Sequence, residues 1–177
     1  FRSCRTLSPK WSALAKSLQS IVKVAVVDCE KTEGICGRYG IDGYPTIKAF
    51  RSGGDPQGIE YKGDRSTKDL QKWALSMIPN NIVALKKKRQ IDELLERCSG
   101  KRKDKVAWRL CVLLFTERTS TSAAYKSIAF TYEDKILFGE IQGSNSALGA
   151  PFNVTSFPSL VAVCNGNPKT VEHFPKK

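Results

Sequence analysis

Cys4 opens the stretch Cys4-Arg5-Thr6-Leu7-Ser8-Pro9-Lys10-Trp11, and Leu7, Trp11, Leu14, Ala15 and Leu18 recur at the three- and four-residue spacing of one helix face. A thiol in the first turn of such a helix is a candidate nucleophile for thiol–disulfide exchange, which also requires an attacking thiolate and a disulfide within reach. The remaining cysteines are Cys29, Cys36, Cys98, Cys111 and Cys164. Zinc needs four ligands, and Cys29 and Cys36 have no histidine near them, the single histidine being His173. No metal and no cofactor are expected. Ser120-Thr121-Ser122-Ala123 offers hydroxyls, but no histidine or acid partner for a serine nucleophile is evident from the sequence. Asn153-Val154-Thr155 is formally an N-glycosylation acceptor. Its position in the turn before Pro158 is expected to bury it.

The elements that must position these groups turn on a motif that occurs twice. Tyr39-Gly40-Ile41-Asp42-Gly43-Tyr44-Pro45-Thr46-Ile47 returns in weaker form as Phe152-Asn153-Val154-Thr155-Ser156-Phe157-Pro158-Ser159-Leu160. Gly40 and Asn153 are residue types that accept the left-handed conformation ending a helix. Each proline precedes an apolar run, so it opens a strand rather than interrupting one. An aromatic–proline bond there is a candidate cis peptide. Around the first copy, residues 4–20 read as a helix containing Pro9 and residues 21–27 as a strand buried on both faces. Residues 30–39 form a short helix, residues 47–50 and 60–62 a hairpin, and residues 67–77 a helix capped by Ser66. Around the second copy, helices are expected over 90–98, 122–130 and between 144 and 152. Strands are expected over 110–115, 136–141, 160–164 and 170–174. This alternation predicts an α/β layer architecture in both halves.

Composition narrows the partners. Hydrophobic residues make up 41% of the 177, too many for a disordered chain, and no apolar run approaches membrane-spanning length. Lysine and arginine total 29 against 17 acidic residues, a net charge of +12. Lys86-Lys87-Lys88-Arg89 and Lys101-Arg102-Lys103 carry much of the excess, without interleaved aromatics or a nucleic-acid motif. A solvated linker and loop are expected, with no nucleic-acid partner, though the charge would steer acidic partners at low salt.

Taken together, the Cys4 helix, the stretch Val24-Ala25-Val26-Val27-Asp28-Cys29-Glu30, the Tyr44-Pro45 turn and Tyr61-Lys62-Gly63-Asp64-Arg65-Ser66 resemble the thioredoxin-fold domain of the protein disulfide-isomerase family. The resemblance is strong over residues 1–78 and weak over 90–175. It implies two thioredoxin-like domains with central mixed sheets flanked by helices. The expected division is a catalytic-type domain over 1–80, a basic linker over 81–89 and a redox-inactive domain over 90–177. The family fold places a strand, a helix and a second strand before the position of Cys4, so the first domain is expected to lack its N-terminal strands in this chain. Cys4 matches the second cysteine of the family's C-x-x-C, and Phe1 stands at the first, the attacking one. The resemblance makes Pro45 the cis proline facing the thiol, with Pro158 its degenerate counterpart. It makes Arg65 the arginine that approaches the second cysteine; a surface charge on a loop is the alternative, as a shielded vestigial thiol is for Cys4. It implies disulfides Cys29–Cys36 and Cys98–Cys111, with Cys164 outside both and expected to be buried in a strand. Paired cysteines imply an oxidising compartment.

The implied function is a folding factor or chaperone of the endoplasmic-reticulum lumen. It would bind unfolded or folding secretory proteins beside Gly43, Tyr44 and Pro45, with at most single-cysteine chemistry at Cys4. Other chaperones are candidate partners. The rival is a full thiol oxidoreductase with a second thiol upstream, such as a J-domain co-chaperone with thioredoxin domains. A basic scaffold with a vestigial fold is a third reading, resting on charge alone.

Overall fold

The helix carrying Cys4 runs from Arg2 to Ser17 (α1) and continues through Pro9. Its period does the anchoring: Leu7 and Leu14 are buried, and Leu18 just beyond the helix end is fully buried. In this computed structural model, residues 2–100, 108–143, 146–168 and 171–174 are described. The chain divides into two units, residues 1–78 and 79–177.

In the first unit α1 is followed by α2 (Glu33–Arg38), the two-residue strands β1 (Lys48–Ala49) and β2 (Ile59–Glu60), and α3 (Thr67–Ser76). The strands pair antiparallel, Lys48 opposite Glu60. Ser66 caps α3 by accepting a hydrogen bond from the Asp69 backbone N–H at 3.1 Å. Leu7, Leu14, Leu18, Ile47 and Leu70 form the core, with Trp11, Val22, Val24 and Trp73 packed against it.

Residues 21–27 differ from expectation. They form no strand, and Val26 and Val27 are 79% and 53% exposed. The apolar, β-branched composition is that of a buried strand, but a strand exists only through its ladder, and no described residue pairs with this one. Val22 and Val24 pack on the core and the Trp11 indole N–H donates to the Ala25 carbonyl at 3.2 Å, which holds the segment without making it a strand. Among the described residues the first unit therefore has only the β1–β2 hairpin as sheet.

The second unit contains the full mixed sheet. Its elements are β3 (Val83–Ala84), α4 (Lys88–Arg97), β4 (Leu110–Thr116), α5 (Ala123–Thr131), β5 (Ile136–Gln142), α6 (Ser146–Gly149), a short 3₁₀ turn (Ala150–Phe152), β6 (Ser159–Cys164) and β7 (Val171–Phe174). The order is β3-β5-β4-β6-β7, with β3, β5 and β4 parallel, β6 antiparallel to β4, and β7 antiparallel to β6. The central strand β4 reads Leu-Cys-Val-Leu-Leu-Phe-Thr because both its faces are covered. Cys111, Leu113 and Phe115 pack with Ile91, Leu94 and Leu95 of α4, while Val112 packs with Tyr125 and Ala129 of α5.

Three further expectations are corrected. Residues 81–89 are not simply a linker: Val83 and Ala84 extend the sheet beside β5, and Lys88 and Arg89 begin α4. The Lys86–Arg89 charges are local to that helix start, where Arg89 pairs with Glu93 at 3.2 Å; the Lys101–Lys103 run lies outside the described residues. Cys164 is exposed, because it is the last residue of β6, beyond the buried run Val161 to Val163. Asn153 is exposed as well, standing between the buried Phe152 and Val154.

Candidate functional site

Cys4 lies in the first turn of α1, half-buried and in neither disulfide. Ser3, Thr6, Leu7 and Lys10 follow the helix repeat and share one face. With Arg65 they line a shallow cavity of about 210 Å³ on the helix that carries Cys4. Arg65 comes from the far end of the unit's sequence, and its position has local causes. Tyr61 packs against Trp73 at 4.8 Å and donates its hydroxyl to the Asp64 carbonyl at 2.6 Å. Ser66 caps α3 on the other side. Between these two anchors, Arg65 donates from Nη2 to the Pro45 carbonyl at 3.0 Å. The cavity therefore combines two cations and two hydroxyls on the helix that carries Cys4, and Arg65 connects it to the Pro45 turn. Lys10, Ser3 and Thr6 were not singled out from sequence; their spacing relative to Cys4 and Leu7 on a predicted helix was the available signal.

The Tyr44–Pro45 peptide is cis. The Thr46 hydroxyl donates to the Gly43 carbonyl at 2.6 Å, fixing the turn from inside, and Ile47 is buried at 5%. Gly43 is exposed and Tyr44 is 47% exposed, so the turn presents an aromatic ring beside accessible backbone. Such a surface suits an extended peptide that adds main-chain hydrogen bonds and sets apolar side chains against a ring.

Cys29–Cys36 and Cys98–Cys111 are disulfides with Cα–Cα separations of 5.8 and 5.9 Å. Cys98 and Cys111 are both fully buried and tie the end of α4 to the start of β4. Cys29 lies in the turn where the Thr32 hydroxyl donates to the Asp28 carbonyl at 2.6 Å.

In the second unit the Phe157–Pro158 peptide is also cis, and the hydroxyls of Thr121 and Ser122 are already engaged. Ser122 caps α5 by accepting from the Tyr125 N–H at 3.2 Å. Thr121 donates to Glu140 Oε2, which also accepts from Gln142 Nε2 at 3.0 Å. Glu140, 3% exposed on β5, escaped the sequence reading because it sits in a mostly apolar strand and its partner Thr121 lies nineteen positions away in sequence. Tyr125 donates its hydroxyl to the Gly139 carbonyl at 2.8 Å and the Val112 carbonyl at 3.2 Å. Burial first, and the Glu140 charge second, push its phenol far above its ordinary range. These hydroxyls hold the loop and the helix start; none is poised as a nucleophile. Among the described residues no group of three or more His, Cys, Asp or Glu is arranged to hold a metal ion.

Comparison with known proteins identifies the first unit: residues 2–76 match the thioredoxin family. The chain is 27% identical, over 178 aligned positions, to a disulfide-isomerase-like protein of Dictyostelium discoideum, covering 98% of this chain and 41% of that one. It is 37% identical over 82 residues to human protein disulfide-isomerase A6, covering 44% of this chain and 18% of the human one. The chain is a thioredoxin-fold protein of the disulfide-isomerase family. A crystal structure of ERdj5 superposes over 98% of the chain with a TM-score of 0.50 at 18% identity, which places the mixed α/β fold of the second unit in the same class. The chain spans 41% and 18% of the lengths of these two relatives and 23% of the ERdj5 chain.

Proposed function

We propose that this chain is the client-holding part of a disulfide-isomerase-like folding factor, with Cys4 as its one thiol for covalent capture. The observation that carries this reading is the arrangement around Arg65. Arg65 lines a cavity on the helix that carries Cys4 and its guanidinium bonds the carbonyl of Pro45, which supports reading the Cys4 helix and the peptide-docking turn as one site. A client held in extended form at Gly43, Tyr44 and Pro45 would present a cysteine or disulfide to Cys4. Cys4 has no resolving thiol in its unit, because Cys29 and Cys36 are joined to each other. A captured client therefore stays until an outside thiol releases it. The second unit, with its Thr121 and Ser122 hydroxyls committed to structure, contributes binding surface and no redox chemistry. Two disulfides support an oxidising compartment, and with this family the endoplasmic-reticulum lumen and its unfolded secretory proteins fit best.

The test is trapping. Disulfide-scrambled client is incubated with the protein and resolved without reductant, alongside Cys4→Ser. A covalent adduct mapping to Cys4, stable until glutathione is added and absent from the variant, is the expected result. Adduct mapping elsewhere, or client released without any added thiol, contradicts the reading.

A further inference from the structure

We propose that Asn153 is an N-glycosylation site, carrying an oligosaccharide at the end of the second unit's sheet where residues 120–123 replace the dithiol. The acceptor pattern Asn153-Val154-Thr155 is necessary for this and weak by itself. The structure adds what the pattern lacks. Phe152 is 1% exposed, with its ring 5.8 Å from that of Phe115, and Val154 is 6% exposed against Gly149. Between these two inward anchors Asn153 adopts φ 54° and ψ 32°, with its backbone N–H donating to the Ala150 carbonyl at 3.1 Å. That left-handed bend leaves Asn153 exposed, and Thr155 is exposed too. Neither the Asn153 amide nor the Thr155 hydroxyl is bonded to any described residue. A left-handed cap alone explains an asparagine at 153, since asparagine tolerates that conformation. It does not explain a hydroxyl two residues on that makes no bond in the fold.

The position decides what a glycan would cover. β6 begins at Ser159 opposite Phe115, and β4 ends one residue later at Thr116, leading into residues 117–122. The Asn153–Pro158 turn and the Ser120–Ala123 loop therefore leave the same end of the sheet. A bulky, hydrated sugar there shields that end of the sheet and leaves the unit's other surfaces for binding. In the transfer, the Asn153 Nδ2 forms a bond to the anomeric carbon of a lipid-linked oligosaccharide diphosphate. The bond from that carbon to the diphosphate oxygen breaks, the lipid diphosphate leaves with the electron pair, and the amide loses one proton to a base.

This inference rests on the lumenal reading above, and two arms separate the two. In the first, the chain behind a cleavable signal peptide is translated with endoplasmic-reticulum microsomes. A single mobility step removed by peptide N-glycosidase is expected, and mass spectrometry after release should show the Asn153 amide converted to a carboxylate. Asn153→Gln and Thr155→Ala should lose the step, and Thr155→Ser should keep it. Protease-protected chain with both disulfides formed and no step overturns the glycosylation site while leaving the compartment intact. The second arm takes the full-length protein from its own cells. Release of glycan from Asn153 supports both readings; unmodified protein outside the lumen overturns the compartment reading, and modification in the native protein falls with it.

Discussion

Arg65 Nη2 stands 3.0 Å from the Pro45 carbonyl oxygen, twenty residues earlier in the chain, while the same guanidinium borders the cavity shared with Ser3, Thr6, Leu7 and Lys10. The positive charge is therefore held at a cavity on the helix that carries Cys4. Arg65→Gln is expected to slow alkylation of Cys4 by the anionic reagent iodoacetate by about 3–5-fold, since one charge facing the Cys4 helix contributes on the order of 1 kcal/mol near water. Reaction with neutral iodoacetamide should change less, and added salt should narrow the difference. Rates are read by mass spectrometry of the Cys4 peptide in a Cys164→Ser background. Equal slowing with both reagents would place Arg65 in a steric role instead.

The two disulfides should differ in accessibility more than in the stability they contribute. Chain entropy assigns each roughly 2.5–3 kcal/mol, slightly more for the longer Cys98–Cys111 loop of separation 13 than for the separation of 7 at Cys29–Cys36. Cys98 and Cys111 are fully buried, whereas Cys29 is half-buried in a turn. Graded dithiothreitol followed by alkylation should label Cys29 and Cys36 first. Cys98 and Cys111 should become labelled only as the second unit opens, tracking its loss of near-ultraviolet circular dichroism.

How much of this was visible in the residues depended on whether the signal was local. The α1 face and the two-faced apolar run of β4 are periodic, so helix, central strand and α/β class follow from spacing. Residues 21–27 have strand composition and no strand, because pairing depends on a partner that composition cannot supply. β3 is two residues long inside a charged segment, and only the β5 edge makes it a strand. Glu140 became part of a site through Thr121, nineteen positions away in sequence. The exposure of Asn153 and Cys164 depends on which neighbours face inward, Phe152 and Val154 in one case and Val163 in the other. The roles of Cys4 and Arg65 rest on family resemblance; the cavity that Arg65 shares with the Cys4 helix is a property of the fold.

Two glycines in the second unit are expected to tolerate no side chain. A Cβ at Gly139 would lie 2.7 Å from Leu85 Cδ1 and 3.0 Å from Leu113 Cδ2, both in fully packed positions. Gly139→Ala should cost about 1–3 kcal/mol by overpacking. At Gly166, φ is +65° and a Cβ would run into the Leu95 carbonyl oxygen, which is backbone and cannot swing away. Gly166→Ala should therefore destabilise the unit at least as much, as measured by urea unfolding at an unchanged m-value.

Tyr125 should give the second unit an alkaline limit. Its phenol is raised by burial and by the Glu140 charge, so the folded state holds the proton more tightly than the unfolded chain does. The stability this represents is fully present below the unfolded value of about 10 and is lost as pH rises above it, at up to about 1.4 kcal/mol per pH unit. Tyr125→Phe should flatten that alkaline decline while losing about 1–3 kcal/mol at neutral pH from the two carbonyl hydrogen bonds. Unfolding curves at pH 8 to 11 for both proteins decide it; parallel declines would mean that the proton is lost elsewhere.

The chain by itself should capture disulfides without turning them over. A disulfide-exchange cycle needs one thiolate to attack and a neighbour to resolve the mixed disulfide. Phe1 stands three residues before Cys4 where the family has the attacking cysteine, and Ser120 and Ala123 stand at the matching positions of the second unit. The remaining cysteine of the first unit's turn, Cys36, is already bonded to Cys29. With insulin and dithiothreitol, the chain is expected to accelerate reduction no more than Cys4→Ser does, both matching a protein-free control. A stoichiometric burst of adduct at Cys4, without further turnover, should accompany this in the unsubstituted chain alone. Suppression of client aggregation should be the same for both proteins, because docking at Gly43, Tyr44 and Pro45 does not require the thiol. Repeated turnovers that disappear in Cys4→Ser would show that a second thiol reaches this site, and that the chain is a working oxidoreductase rather than a holder of clients.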